Sequence, residues 1–421
     1  MRIFCITSLL LLVVSSGAWA APLSLRDCLG LARAHNPTLK SASHGPVIAR
    51  EGVTQAKSGY LPTVDFSGGY TAMKDPQAFK FGGNTVPSGE ADYGFFHFSI
   101  DQTLYDFGRT SSRVQQARAL QQASEFDYQG LEQDVFLQTV AAYYRILETQ
   151  KLLQSANEEV VQMKDHLSVA KNLYDQGVVT QNDVLQAEVQ LANSRQLQLA
   201  RRNLRDNAWL RLNYLTGRPA NARGSLQEVP EIKSPSTAKD PRRAVADRPE
   251  LRRARKLVEA GTQAVTESKA GFRPELFVRA GADYEENKYV AEQTLYSATV
   301  GVRFNLFDGY ATTSRLRQAV EEKIRSQDQL RDLTEQAGLE YRTARNDALV
   351  ASRRIAVAKT AIAQAKVNLQ INKNRYLEQV GTATDVIDAQ TLLTRTRTEY
   401  DQALFDYEVA LARIKRAAGQ L

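Results

Sequence analysis

The stretch YDQGVVTQNDVLQAE (residues 174–188) has a close counterpart about 200 residues later, YLEQVGTATDVIDAQ (376–390). Each contains a short run of glycine and small polar residues, followed by an aspartate and a return to apolar positions. Glycine just after a periodic segment, and threonine or aspartate just before the next, are typical of one helix ending and another beginning. The same reversal of the chain is therefore predicted twice.

Apolar and small residues on both sides of these stretches alternate at spacings of three and four, which is the pattern of a heptad seam. In the first copy the seam is Ala142, Ile146, Thr149, Leu153, Ala156, Val160, Met163, Leu167, Ala170 and Tyr174. In the second it is Ala348, Ala351, Ile355, Ala358, Ile362, Ala365, Leu369, Asn372 and Tyr376, and it resumes as Val386, Ala389, Leu393, Thr396, Tyr400, Ala403, Tyr407, Ala410, Ile414 and Ala417. Both copies are thus expected to form long helices.

Residues 107–174 contain no proline, and a helix of that length spans on the order of 100 Å. The two quoted stretches are then the tips of antiparallel helical hairpins. We expect Gly177 or Gly381 to make each reversal, and Thr180 or Thr384 to cap the returning helix.

The tips belong to a longer duplication. Asp106 and Asp308, Tyr174 and Tyr376, and Asp183 and Asp385 are each 202 positions apart. A fixed offset over this distance indicates one structural unit written twice.

Two runs with period-two alternation precede each helical hairpin. One face of the later runs carries Phe96, Phe98, Ile100 and Leu104 in the first copy, and Val300, Val302, Phe304 and Leu306 in the second. Runs of about 10 to 12 residues match tilted membrane-crossing strands. The polar segment 74–92 between the first two runs is predicted to be a loop. Two soluble hairpins on a globular core are the alternative, and four strands alone cannot close a membrane barrel.

The N-terminal segment 1–20 is predicted to be a secretory signal peptide rather than a membrane anchor, because its apolar run is short and precedes Ala-Trp-Ala. The expected organisation then continues as an N-terminal helical segment (21–58), a β-hairpin (59–105), a helical hairpin with its tip near residue 177 (106–217), a linker and equatorial segment (218–270), a second β-hairpin (271–307) and a second helical hairpin with its tip near residue 381 (308–421).

Composition excludes several classes of protein. A chain of 421 residues with 24% charged side chains is not a polytopic helical membrane protein. The formal net charge of +7 is too diffuse to indicate nucleic-acid binding, and the basic segments 200–211 and 241–256 are interpreted as solvated helix faces. Catalytic motifs are missing, and the four histidines are not at ligand spacing, so we expect neither an enzyme nor a metal or cofactor site.

The motifs together resemble the TolC-like outer-membrane efflux proteins. The resemblance rests on the signal peptide, the duplicated unit, glycine-aromatic-x-proline at 59–62 and 271–274, LYDFG and LFDGY at 104–108 and 306–310, and the paired tips. It implies a mainly α fold with a small membrane β part, trimerising into a 12-stranded β-barrel and a periplasmic α-helical tube. It also implies the bacterial outer membrane as location.

The resemblance further implies an exit duct for efflux or type I secretion, working with a periplasmic adaptor and an inner-membrane pump or ABC transporter. The alternative is a periplasmic coiled-coil adaptor or scaffold outside the outer membrane, although the lipoyl-like half-motifs of adaptors are not found. The tip residues Gly177, Val380, Gly381 and Thr382 resemble the family's docking motif. The competing interpretation is that both glycines only form turns.

Two carboxylates, Asp385 and Asp388, resemble the family's acidic constriction, and their spacing of three places them on one helix face. Threefold symmetry would make each a ring of acids in the pore. The alternative role is stabilisation of the helix N-terminus. If neighbouring hairpins align, Asp183 is expected to accept a hydrogen bond from the Tyr376 phenol and hold the tip shut.

Overall fold

The computed structural model describes residues 22–228 and 240–421. The predicted signal peptide (1–20) and residues 229–239 of the predicted linker lie outside the described residues. None of the helices in this described part of the chain is both long enough and apolar enough to cross a membrane.

Nine α-helices, one short 3-10 helix (Ser58–Tyr60) and six strands make up the regular structure of the described part of the chain. The first half holds α1 (Leu25–His35), α2 (Pro37–Ala42), α3 (His44–Lys57), β1 (Thr63–Ala72), β2 (Ala78–Phe81), β3 (Asn84–Pro87), β4 (Asp92–Tyr105), α4 (Arg109–Asp175) and α5 (Gln181–Thr216). The second half holds α6 (Pro241–Val245), α7 (Pro249–Ala270), β5 (Glu275–Glu285), β6 (Thr294–Arg303), α8 (Ala311–Leu377) and α9 (Ala383–Ala417).

The strands form one antiparallel four-stranded sheet in the order β1-β4-β5-β6, and a separate two-stranded sheet of β2 and β3. The prediction of a plain loop over 74–92 is therefore wrong, since this segment folds into a small hairpin of its own. Its turn contains Gly82 and Gly83, both with positive φ angles of 57° and 91°. Such angles are favourable for glycine and costly for other residues, which explains a hairpin at this point.

The described residues divide into two compact units: one from 22–36, 138–228 and 350–409, the other from 37–137, 240–349 and 410–421. In the first unit, Ile146, Trp209 and Leu212 are central to a buried cluster that also contains Cys28. Tyr143 borders this cluster and donates its hydroxyl hydrogen to the carbonyl of Gln227 over 2.7 Å.

The predicted heptad seams are confirmed by burial. Most seam positions are buried, and Ile146, Thr149, Ala170, Ala348, Ala403 and Tyr407 are completely inaccessible. Tyr174 is the one seam position that is exposed: 44% of it is accessible, whereas its counterpart Tyr376 is 6% exposed. The two copies thus differ in their packing just before the tips.

The second unit contains a buried ion cluster where the sequence indicated a solvated helix face over 241–256. Arg248 is buried and donates to Glu340 (Nη1 to Oε2, 2.6 Å) and to Glu250 (Nε to Oε2, 3.2 Å). Glu250 also pairs with Arg416. Burial acts to raise the pKa of Glu250, but the hydrogen bond and charge of Arg416 hold it below its usual range. The interpretation as a solvated face is therefore wrong at Arg248.

Candidate functional site

The first tip joins α4 to α5 through a left-handed residue, Gly177, whose φ angle is 73°. The N–H of Val178 donates to the carbonyl of Leu173, and the N–H of Gly177 donates to that of Tyr174, both over 2.8 Å. These two bonds are the Schellman arrangement that ends many helices. The prediction that Gly177 makes this reversal is confirmed.

The second tip uses a different residue for the same turn. Gln379 adopts a φ angle of 62°, and its N–H donates to the carbonyl of Tyr376 over 3.2 Å. The next residue, Val380, donates to the carbonyl of Arg375 over 2.9 Å, which completes the same arrangement. Gln379 lies 202 positions after Gly177, which is the offset of the internal repeat. This offset indicates that Gln379 is the residue equivalent to Gly177.

Gly381 is therefore not the residue that reverses the chain, and that prediction is wrong. A Cβ atom added at Gly381 would lie 3.0 Å from Cβ of Arg375 and 3.3 Å from its carbonyl carbon. The close approach of the preceding helix end favours glycine here. A bulky substitution would distort the tip itself and would be a poor test of docking.

Reciprocal hydrogen bonds cap both returning helices. In α5, the N–H and the hydroxyl of Thr180 both donate to Oδ2 of Asp183 over 2.9 Å. In α9, the N–H of Thr382 donates to Oδ2 of Asp385 (3.0 Å), and the N–H of Asp385 donates to Oγ1 of Thr382 (3.2 Å). The predicted cap Thr180 is confirmed, but Thr382 replaces the predicted Thr384. Such caps satisfy N–H groups that have no partner within the helix.

The two acidic residues of the predicted constriction differ in their surroundings. The backbone hydrogen bond from Thr382, followed by the bond with its side chain, lowers the pKa of Asp385. Asp388 is exposed and has no hydrogen-bond or ion-pair partner among the described residues. Stabilisation of the helix N-terminus is thus one role of Asp385 in this chain, whereas Asp388 has no such role.

The predicted hydrogen bond between Tyr376 and Asp183 is not formed in this chain. The Tyr376 hydroxyl oxygen is buried and has no hydrogen-bond partner among the described residues. Burial raises the pKa of Tyr376, and the charge of Asp183 acts in the same direction. The nearest ring is that of His166, with a centroid separation of 5.6 Å. Sequence reasoning did not place His166 near the tip.

The four-stranded sheet has one apolar face. Phe96 on β4 stacks between Phe66 on β1 and Tyr284 on β5, with ring-centroid distances of 6.3 and 4.9 Å. Residues that pair across neighbouring strands share a face, and the strand register adds Val64, Phe98, Ile100, Leu276, Val278, Tyr296, Val300 and Val302 to it. Five of the eight residues predicted for the apolar face, Phe96, Phe98, Ile100, Val300 and Val302, therefore lie on one face.

Two predictions about the strand ends need correction. β6 ends at Arg303, so Phe304 and Leu306 lie beyond the sheet. An irregularity between Thr103 and Tyr105 shifts the register of β4, so that Tyr105 pairs with Leu276. A β-bulge of this kind changes which side chains point to a given face. Tyr105 therefore takes the position predicted for Leu104.

Charged pairs occupy the opposite face of the sheet. His97 pairs with Asp283, and Nε of Arg279 donates to Oδ1 of Asp101 over 2.6 Å. Ser99 lies between them and is buried. The sheet is thus apolar on one side and polar on the other, and no group of three or more potential metal ligands is found in the described part of the chain.

The comparison with family models agrees with the duplicated unit and these tips. The model of the outer membrane efflux protein family matches residues 28–218 and 241–420. The chain belongs to this family. The resemblance stated from the sequence motifs is therefore confirmed.

Curated relatives align over almost their whole length. The outer membrane protein TolC of Vibrio cholerae is 22% identical, over 97% of this chain and 93% of the relative. The alkaline protease secretion protein AprF of Pseudomonas aeruginosa is also 22% identical, over 98% of this chain and 87% of the relative.

Solved structures of the same fold include two outer-membrane proteins. The outer-membrane channel OprN has a TM-score of 0.83 at 20% identity, with 94% of this chain and 90% of that chain covered. The outer membrane protein VceC from Vibrio cholerae has a TM-score of 0.82 at 18% identity, with 94% and 96% covered.

Family membership establishes the location and the general function. The protein resides in the outer membrane with a periplasmic helical tube, and it is an outer-membrane exit duct. This decides against the alternative of a periplasmic adaptor or scaffold. The mainly helical fold with few strands is confirmed as well.

The left-handed residues at the tips generate a stability prediction. A non-glycine residue in this conformation costs about 1–2 kcal/mol, although glycine also gains freedom in the unfolded chain. Gln379→Gly should therefore stabilise the second tip by up to about 1 kcal/mol, and Gly177→Ala should destabilise the first by about 1 kcal/mol. Hydrogen exchange at the amides of Val380 and Val178 measures both effects. Faster exchange at Val380 in Gln379→Gly would contradict this account.

Proposed function

We propose that three copies of this chain form one continuous export duct through the outer membrane and periplasm. The observation that carries the proposal is the four-stranded sheet, which has one apolar face and two outer strands, β1 and β6, with a single neighbour each. Three such sheets supply twelve strands. Pooling them closes a barrel, which a single chain cannot do.

The apolar face of the sheet, which includes Val300 and Val302, is proposed to contact lipid. The polar face, with its His97–Asp283 and Arg279–Asp101 pairs, then lines the lumen. An alternation of apolar outward and polar inward side chains is the usual arrangement in outer-membrane barrels. The duct is proposed to be passive, and we expect it to work without catalysis, a cofactor or a metal.

The duct is proposed to serve efflux or type I secretion together with a periplasmic adaptor and an inner-membrane pump or ABC transporter. The family description supports efflux. The names of two relatives, the alkaline protease secretion protein AprF and the proteases secretion protein PrtF of Dickeya chrysanthemi, support protein secretion. Both uses require a conduit that is continuous from the tips to the barrel.

Substitutions at two positions of β6, on opposite faces of the sheet, test the lipid-facing assignment. Val300→Arg should destabilise the inserted protein by about 2–4 kcal/mol if it lies near the bilayer midplane. The matched change Ser297→Arg should be tolerated, because Ser297 is exposed on the polar face opposite Gly281. Ser99, although also polar, is buried and unsuitable as a control. Equal amounts of folded Val300→Arg and Ser297→Arg in outer membranes would contradict the assignment.

The tips are proposed to dock the adaptor through Gly177, Val380, Gly381 and Thr382. Val380 offers the most direct contact, since its side chain is 67% exposed beside the turn. The equivalent residue of the first tip, Val178, is also exposed. Two apolar side chains at equivalent positions of a repeated turn give the partner two similar contact points.

A photoreactive residue at Val380 tests docking without distorting the turn. Irradiation of cells should yield an adduct of the duct with a periplasmic adaptor, identified by mass spectrometry. The matched control is Val357 in the middle of α8, an equally accessible valine with 70% exposure. Adducts of equal yield at both positions, or none at Val380, would exclude docking through this tip.

Asp385 and Asp388 are proposed to form two rings of three carboxylates at the narrow end of the duct. Acidic rings favour cations and bind multivalent ones. The exposed Asp388 carboxylate, which has no structural partner in the described chain, gives this proposal its main support. Asp385 combines the proposed role with its capping bond to Thr382.

Single-channel recording in lipid bilayers tests the acidic rings. The double change Asp385→Asn, Asp388→Asn should lower cation selectivity and weaken block by divalent ions several-fold, because the fixed charge is removed. Thr382→Ala is the matched control, since it removes the hydroxyl that accepts the Asp385 N–H and keeps both carboxylates. If the double variant retains the selectivity and divalent block of the unchanged protein, the aspartates do not line the pore.

A further inference from the structure

A cavity of about 490 Å³ lies where the long helices join the four-stranded sheet. It is surrounded by the first turns of α4 and α8, the end of α7, the start of β5 and the end of β6, and its lining residues all belong to the second compact unit. Its charged lining residues are five arginines and two glutamates: Arg109, Arg113, Arg273, Arg303, Arg315, Glu267 and Glu275. The wall therefore carries an excess of three positive charges.

Both glutamates of the wall are already paired. Oε2 of Glu275 accepts from Nη1 of Arg109 over 3.2 Å, and its Oε1 accepts from the Thr103 hydroxyl over 2.9 Å. Oε1 of Glu267 accepts from Nε of Arg113 over 2.9 Å and lies 2.8 Å from its Nη2. These pairs neutralise Arg109 and Arg113. They leave no carboxylate of the wall for the other three arginines.

Arg273, Arg303 and Arg315 are exposed, so a ligand in the cavity can reach them. None of the three forms a hydrogen bond or an ion pair within the part of the chain that the structure describes. Arg303 lies directly across the sheet from Glu275, yet its guanidinium is placed over the Phe277 ring, 5.1 Å from the ring centroid. Such a cation–π contact orients the guanidinium and leaves its charge in place.

The internal repeat explains why Arg315 has no ion-pair partner. Arg315 lies 202 positions after Arg113, which pairs with Glu267. Glu267 belongs to the sequence VTESKAG, which aligns with VTQAKSG in the first copy and places the neutral Gln55 at the equivalent position. The carboxylate of Asp308 interacts with the charge of Arg315 but accepts its hydrogen bonds from the first turn of α8.

Two of the arginines are also specific to the second copy. Arg273 lies 212 positions after Leu61, which is the offset between the entries to the two β-hairpins. Arg303 lies 202 positions after Asp101. The equivalent positions of the first copy are thus apolar and acidic. The excess of positive charge is therefore a property of this cavity and does not follow from the repeated fold.

The chemistry of the wall defines the ligand. Arginine guanidinium groups bind phosphate and carboxylate groups through paired N–H donors. Like charges around a concave space raise the local concentration of ions of opposite sign. The volume lies within the range of small-molecule pockets, roughly 300–1,000 Å³. We propose that this cavity binds a small, soluble oxyanion with at least two negative charges, such as pyrophosphate.

The position of the cavity favours a soluble anion over a lipid headgroup. Glu275 and Arg303 lie on the polar face of the sheet, because their strand neighbours Leu276 and Val302 belong to the apolar face. The polar face lines the lumen of the proposed duct, where three such cavities would retain anionic groups at one level. That consequence rests on the proposed function. Binding of the anion requires one chain only, so it can fail without affecting the proposed trimer.

Isothermal titration calorimetry tests the proposal on the full-length protein in non-ionic detergent and metal-free buffer, with pyrophosphate as the probe. We expect saturable binding of one pyrophosphate per chain. Acetate at the same ionic strength should bind at least tenfold more weakly, because it carries a single charge. Higher ionic strength should weaken pyrophosphate binding, since salt screens exposed charges. Equal affinity for both anions, or no saturable binding of pyrophosphate, would overturn the proposal.

Variants that change affinity in opposite directions separate binding from loss of fold. The double change Arg273→Gln, Arg315→Gln should weaken pyrophosphate binding tenfold or more. Arg317→Gln, an exposed residue of α8 outside the cavity, removes a like charge and should change the affinity less than twofold. Glu267→Gln should tighten binding several-fold, because it removes an acid and releases Arg113. Unchanged binding in the double variant, an equal loss in Arg317→Gln, or weaker binding in Glu267→Gln would overturn the proposal.

Discussion

The hydrogen bonding of the outer strands β1 and β6 is the constraint on which the rest of the structure depends. Within hydrocarbon, every backbone N–H and C=O must find a partner in the protein. In the sheet β1-β4-β5-β6, the inner strands β4 and β5 each pair on both sides. The outer strands β1 and β6 each have one side whose backbone groups are left to pair with a neighbouring strand. The proposed contact of the sheet's apolar face with lipid adds the second requirement. The proposed pooling of strands from three chains meets both requirements, and it gathers the tips around one axis.

The duplication explains why the helices are alike and the tips are not. In both copies, a seam of small and apolar residues permits close helix approach. All seam positions except Tyr174 are buried or half-buried. The turns have diverged, with glycine at 177 and glutamine at 379 in the same left-handed conformation. Gly381 lies where an added Cβ atom would be in tight contact with Arg375. The second tip therefore combines a strained turn with an acidic helix start.

Local patterns predicted the features that depend on local interactions. Heptad spacing identified the seams, and alternation identified the apolar sheet face, because both periods follow directly from helix and strand geometry. The strand end at Arg303 and the bulge at Tyr105 escaped prediction, since pairing with a neighbouring strand decides them. Arg248 and His166 were missed for a similar reason. Their burial is set by residues far away in sequence, which a single sequence does not bring together.

The number of chains in the membrane-inserted particle tests the central claim most directly. Native mass spectrometry of the protein released from outer membranes in mild detergent measures this number without any substitution. The account predicts a particle of three chains, since three four-stranded sheets leave no strand edge unpaired. A stable, folded particle of one or two chains, inserted in the membrane, would contradict it.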